Sequence, residues 1–182
     1  MLRITARFAD AWFPAFIFTP KEYARCLHVV EAAASDAGRD PAALTTAILL
    51  PVMTGRTRDD VDEALASEVA KMYGLTGSAE MWACHGVEHP LGADFTGAQD
   101  IQPQTIDEQT ALAYGEQVQP ALLREMYVAG TPDEVVDQVA VWRDHGLRYP
   151  ILINCGGVQK SLRKGMVASM PFAKVIRGLN RL

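Results

Sequence analysis

The sequence predicts an α/β fold of repeated β/α units, and only part of such a fold. Three observations lead there. Capped amphipathic helices recur, short apolar runs lie between them, and the chain offers three convincing strands where a closed eight-stranded barrel takes about 250 residues. At 182 residues with 49% hydrophobic and 21% charged positions, the chain can bury a sizeable core as one domain spanning 1–182.

The elements follow in order. "MLRITARFA" has helical composition without a capping residue before it, as if the interior of a helix came first, and "ADAWF", Ala9 to Phe13, is a weak strand candidate. Thr19, Pro20 and Glu22 form a capping-box signal ahead of a stripe of Tyr23, Leu27, Val30 and Ala34, with Gly38 as the stop. "TAILLPVM", Thr46 to Met53, is a near-continuous apolar run suited to a strand covered on both faces, although Pro51 cannot donate to a central ladder. Thr57 and Asp60 start a helix through Val61, Leu65, Val69 and Met72, and Thr105 with Glu108 starts another. Thr131, Pro132 and Glu134 repeat the capping box before Val135, Val139 and Trp142, Gly146 stops that helix, and "YPILIN", Tyr149 to Asn154, supplies the last strand.

Charge and composition exclude several classes. A net charge of −5 without a Lys or Arg block gives no reason to expect nucleic acid. No apolar run reaches the roughly 18 residues of a membrane span, and the N-terminus lacks the order of a signal peptide. Cys26, Cys84 and Cys155, odd in number and far apart, read as reduced thiols of a cytoplasmic protein.

"ARFADAWFP", "SDAGRDP" and "GTPDEVVDQVAVWRDHGLRYPILIN" resemble the C-terminal portion of the luciferase-like family of flavin- and deazaflavin-dependent oxidoreductases. Within that family "HGVEHPLGADFTGAQDIQPQT" is most similar to the ketoreductases that act on phthiodiolone-type lipids. The resemblance implies the last three or so β/α units of a (β/α)8 TIM barrel, with coenzyme F420 as hydride carrier, FMN as the less favoured cofactor, and a ketone on a long-chain lipid as substrate. It also implies that the units holding most of the cofactor are absent, so that the chain alone is inactive unless a homo-oligomer or a complementing N-terminal half completes it. By family position Ala9–Phe13, Thr46–Met53 and Tyr149–Asn154 are the sixth, seventh and eighth strands, whose C-terminal ends face the active-site mouth. Met1, Leu2 and Trp12 are then the cofactor-binding candidates, Met1 and Leu2 as the amide end of a helix facing a phosphate. Phe13, Ala15, Phe16, Asn154, Gln159, Lys160 and Arg163 are the substrate-pocket candidates, core packing and a solvated helix face being the alternative readings. No catalytic residue is singled out.

The stretch from about Cys84 to Thr105 is long and aperiodic, which fits a lid or substrate loop, or disorder. It also contains a competing signal. "HGVEH" sets His85, Glu88 and His89 in the H-x-x-E-H order of inverted zinc peptidases, with Glu108, Glu116 or Glu125 as a third ligand. Gly86 inside the required helix and Pro90 after the second His oppose it, so no metal is expected. Cys155 near His145 is a further nucleophile pattern, against which His145 reads as a helix-end residue. Three strands leave open edges and uncovered apolar positions such as Ile48, Leu50, Ile151 and Ile153, predicting self-association of the isolated chain.

Overall fold

The computed structural model describes residues 1–157 and 162–181. Its centre is a parallel four-stranded sheet. The strands are β1 (Ala11–Trp12), β2 (Thr45–Thr54), β3 (Val128–Gly130) and β4 (Tyr149–Asn154). β4 pairs with β2 from Ala47↔Tyr149 to Val52↔Asn154, while β3 pairs with Val52 to Thr54 and β1 with Thr45 and Thr46. Because Val52 pairs with both Val128 and Asn154, β3 and β4 lie on opposite edges of β2.

β1 shares the β3 edge. The Thr45 amide donates to Asp10 at 2.9 Å while the Thr46 carbonyl accepts from Arg148 at 3.2 Å on the β4 side, and successive residues of a parallel strand address opposite edges. Residues 47–51 of β2 therefore have no strand partner on that edge among the described residues. This accounts for Pro51 in a long strand: its position in the alternation turns the missing N–H toward the unpaired stretch.

Around the sheet stand α1 (Leu2–Phe8), α2 (Pro20–Asp36), α3 (Arg58–Leu65), α4 (Glu68–Gly74), α5 (Ala79–Cys84), α6 (Glu108–Gly115), α7 (Pro120–Met126), α8 (Pro132–Asp144) and α9 (Leu162–Leu179). α2 starts where expected, with Thr19 accepting the Glu22 amide at 3.3 Å, and buries Tyr23, Leu27, Val30 and Ala34. α8 is closed by Glu134, which accepts from the Thr131 amide at 2.8 Å and hydroxyl at 2.9 Å. Gly146, at φ +96°, ends α8 so close to α2 that a Cβ there would sit 2.5 Å from Leu27 Cδ2.

Two expectations for the middle of the chain are corrected. The helix expected from Thr57 through Met72 is two, because Ser67 accepts the Ala70 amide and caps a restart, leaving Val69 51% exposed. Asp107, not Thr105, caps α6 through Thr110 at 2.8 Å, and Thr105 closes a single 3₁₀ turn.

Among the described residues two clusters form the core. Ile48, Leu50 and Val52 of β2 pack with Tyr23, Leu27 and Val30 of α2, Val135, Val139 and Trp142 of α8, and Val175 of α9. The second joins Met53 to Val61, Leu65, Trp82, Leu122 and Tyr127, so the helices between β2 and β3 gather at the C-terminal end of β2. The expectation of uncovered Ile48 and Leu50 is thus reversed, since each is 2% exposed; the open positions are Leu49 at 38%, Tyr149 at 61% and Ile153 at 43%, with Ile151 half-buried and Ala47 and Met53, on the Leu49 side, buried. A continuous apolar run does not tell which side a sheet leaves bare.

Candidate functional site

A cavity of about 620 Å³ lies against the unpaired stretch of β2. It exists because the chain leaves β2 after Trp12: Phe13, Pro14, Ala15, Phe16, Ile17 and Phe18 form one wall, and Leu49, Leu50 and Pro51 the floor. Tyr73 from α4 and Met126, Tyr127 and Val128 close the C-terminal side, with Gln138, Val141 and Trp142 of α8 opposite. Phe16 holds φ +56°, a left-handed conformation unfavourable for an aromatic residue, at a wall of this cavity.

An aromatic row crosses the cavity's C-terminal side. Phe18 meets Tyr73 edge-on at 6.3 Å and Tyr73 meets Tyr127 at 5.1 Å. Burial pushes the Tyr73 phenol up to about 12, helped by the nearby Cys155 thiol, and raises Tyr127 for the same reasons in the same order. Both hydroxyls stay protonated across ordinary pH. Burial also raises the Cys155 thiol, against a lowering contact with the Val52 backbone, which makes it an unreactive sulfhydryl. His145 bonds the Val141 carbonyl at 2.8 Å beyond the opposite end of β4, so Cys155 and His145 do not form a nucleophile pair.

The cavity's charged groups are engaged. Arg124 is ion-paired with Asp62, Glu125 bonds His85 at 2.9 Å, and the Gln138 amide donates to the carbonyls of Ala129 at 2.9 Å and Glu134 at 3.2 Å.

Phe13, Ala15 and Phe16 line this cavity together, Phe13 and Phe16 with 56% and 52% of their surface exposed. Trp12 does not reach it; at 3% exposure it packs on Tyr23 with ring centres 4.7 Å apart. Met1 is 98% exposed ahead of the seven-residue α1, and Leu2 packs on the first core cluster. Asn154 is half-buried at the end of β4, where its Oδ1 has no hydrogen-bond partner, and it does not line the cavity. Gln159 and Lys160 lie outside the described residues, as does the side chain of Arg163. Tyr73 and Tyr127 carry no motif in the sequence; the only sign of Tyr127 is its place at the head of the short run "YVAG" before the Thr131 cap.

The segment from Cys84 to Thr105 is pinned elsewhere. His89, 4% exposed, stacks on Phe95 at 4.1 Å and meets Trp82 edge-on at 4.7 Å, its ring bonding the Leu75 carbonyl at 3.2 Å and accepting the Leu91 amide at 3.1 Å. Burial lowers its basicity, the Leu75 carbonyl partly opposing, so it is a neutral core residue. No residue of this segment lines the 620 Å³ cavity. The zinc reading fails here: α5 ends at Cys84, Gly86 turns at φ +77°, and His85 and His89 take separate partners. Among the described residues no group of three or more His, Cys, Asp or Glu could hold a metal.

The family model of luciferase-like monooxygenases matches residues 1–149. The chain belongs to the luciferase-like family. Over all 182 residues this luciferase-like chain is 58% identical to the phthiodiolone/phenolphthiodiolone dimycocerosates ketoreductase of Mycobacterium tuberculosis, covering 48% of that protein. It spans about half the length of the curated relatives it matches. Among solved structures it is similar to the coenzyme F420 dependent tetrahydromethanopterin reductase of Methanopyrus kandleri, with TM-score 0.68 and 18% identity over 98% of this chain and 48% of the other. An F420-dependent secondary alcohol dehydrogenase, in complex with an F420-acetone adduct, gives TM-score 0.62 and 16% identity over 98% of this chain and 45% of the other. These likenesses share the luciferase-like α/β fold with its parallel sheet. No helix among the described residues is long and apolar enough to cross a membrane.

Proposed function

We propose that this chain forms the C-terminal, substrate-side part of a deazaflavin-dependent oxidoreductase that reduces a ketone on a long-chain lipid, and that its four strands are one arc of a (β/α)8 barrel. The observation that carries this reading is the apolar cavity beside a bare sheet face: Phe13, Phe16, Leu49 and Pro51 suit an alkyl chain or a planar ring, and Leu49 and Ile153 remain exposed. The 58% identity to a ketoreductase over the whole chain supports the lipid ketone as substrate.

The cavity fits an apolar reactant and one face of a deazaflavin ring. It does not fit a phosphate, since Arg124, the one cation among its described lining residues, is committed to Asp62. When bound, the deazaflavin supplies a hydride. What these residues do is hold the alkyl part of the ketone, keep water from it, and present neutral phenols rather than charges to the carbonyl. The phosphate-binding part of the cofactor site then belongs to the other half of the barrel, and the chain alone has little or no activity. We favour F420 over FMN because the ketoreductase resemblance points to that carrier.

Titrating the chain with F420, alone and together with a separately produced N-terminal half of a relative, tests this reading. Saturable binding and ketone-dependent oxidation of reduced F420 are expected only for the pair. Turnover by the chain alone would overturn the half-barrel reading, and binding of FMN but not F420 by the pair would overturn the choice of cofactor.

A further inference from the structure

We propose that residues 13–16 gate the 620 Å³ cavity: they close by extending β1 along the unpaired edge of β2, which carries the Phe16 ring into the cavity, and an apolar ligand holds them open. This rests on the reading above only in taking the cavity to hold an alkyl chain. The structure shows the open arrangement.

Residues 13–18 are tied at both ends and loose between. Trp12, 3% exposed, packs on Tyr23, and Thr19 caps α2 by accepting the Glu22 amide. Between these anchors no backbone hydrogen bond reaches a described residue, Phe13 and Phe16 keep more than half their surface in water, and Phe16 holds φ +56°. A segment with so few bonds rearranges at little cost. Opposite it, Leu49 turns both its N–H and its carbonyl to the free edge of β2, where no described residue bonds either.

The register of β1 says how the two would meet. Ala11 pairs with Thr45 and Trp12 with Thr46, and the same offset carries Ala15 to Leu49 and Phe16 to Leu50. In that register the Leu49 N–H donates to the Pro14 carbonyl, and the Leu49 carbonyl accepts from the Phe16 N–H. Phe16 then exchanges its left-handed conformation for an extended one. Four residues on from Trp12, its side chain falls on the side of the sheet that Trp12 occupies, beside Leu50 and in the layer of Trp142, both of which line the cavity. Two prolines limit the extension. Pro14 has no N–H for the Ala47 carbonyl and Pro51 has none for the Phe16 carbonyl, so closure adds two bonds and no more. A ligand that needs the same volume can reverse a pairing of that strength, because it binds the open arrangement alone.

The test is fluorine NMR of the full chain with para-fluorophenylalanine in place of Phe16, where the solvent isotope shift separates a ring in water from a buried one. The native chain is expected to show both environments, and saturation with a mid-length dialkyl ketone to remove the buried one. Pro14→Ala supplies the donor that the Ala47 carbonyl lacks. One added neutral hydrogen bond corresponds to a rise of roughly fivefold to tenfold in the ratio of buried to exposed ring, with weaker ketone binding in a calorimetric titration. A ring exposed in both the native chain and Pro14→Ala would overturn the proposal, as would a buried signal that the ketone leaves unchanged. A buried signal that grows with protein concentration would overturn it too, since it would report association of copies. If Pro14→Ala does not fold, the native chain with and without ketone decides. No cofactor takes part, so the F420 titration can fail without touching this test, and ketone binding with an unmoved ring would end the gate while leaving the alkyl-binding cavity in place.

Discussion

The two sides of β2 differ at its middle. Ile48 and Leu50 are each 2% exposed under α2 and α8, while Leu49, between them in the sequence and of the same chemical type, is 38% exposed. β4 repeats the contrast, with Leu152 packed on the first core cluster and Ile153 at 43% exposure. One face has its helices and is finished. The other is covered at Ala47, Pro51 and Met53 but leaves Leu49 partly open, and leaving such groups in water forfeits the roughly 25 cal/mol per Å² that burial would return. A strand carrying this asymmetry holds the fold together with one set of residues and keeps the other set available for something outside it.

The covered face should be the sensitive one. Leu50→Ala is expected to cost about 2–5 kcal/mol, read as a shift in the denaturation midpoint, because it opens a cavity in a packed cluster. Gly146→Ala tests the same layer from its helices: a β-carbon would meet Leu27 while the backbone holds φ +96°, for an expected loss of about 1–3 kcal/mol. A smaller effect belongs to the α8 cap beneath that layer. The Thr131 amide and then the Arg58 guanidinium hold the Glu134 carboxyl at about 2, below its ordinary 4.5, so its contribution is full above pH 4.5 and is lost as pH falls toward 2. Glu134→Gln should flatten stability over that window, and an unaltered acid limb would show that the cap adds nothing.

The sequence made the covered layer easy to read and the open face hard. Helix caps and stripes are local signals, and Tyr23, Leu27, Val30, Val135, Val139 and Trp142 are all buried where their spacing puts them. The bounds of β4 coincide with the apolar run "YPILIN". The run "TAILLPVM" gives no face, since both sides of it are apolar, and the exposure of Leu49 rather than Leu50 depends on where α2 and α8 dock. The cavity shows the same division. Phe13, Ala15 and Phe16 could be nominated because they follow a strand directly, whereas Tyr73 follows Met72 at the end of a stripe read as one helix and Tyr127 is the residue that ends α7 just before β3. Pro51 looked like a reason to doubt a strand. Its place on the unpaired stretch of edge, beside the cavity, makes it a marker of that gap.

The smallest expected effect on stability is the most informative about the comparison. Leu49→Ser combined with Ile153→Ser changes two residues that no helix covers, so the denaturation midpoint of the monomer should move by no more than about 0.5 kcal/mol, as for other surface positions. The same double variant removes much of the bare apolar face through which copies of the chain would associate, so sedimentation should show a lower average mass than the native chain at equal concentration. A destabilisation as large as that of Leu50→Ala would mean that this face is covered by the chain itself in solution, and the contrast between the two faces would collapse. A lower mass with an unchanged midpoint would instead fix the role of Leu49 and Ile153: they contribute little to the chain's own stability and much to what it binds.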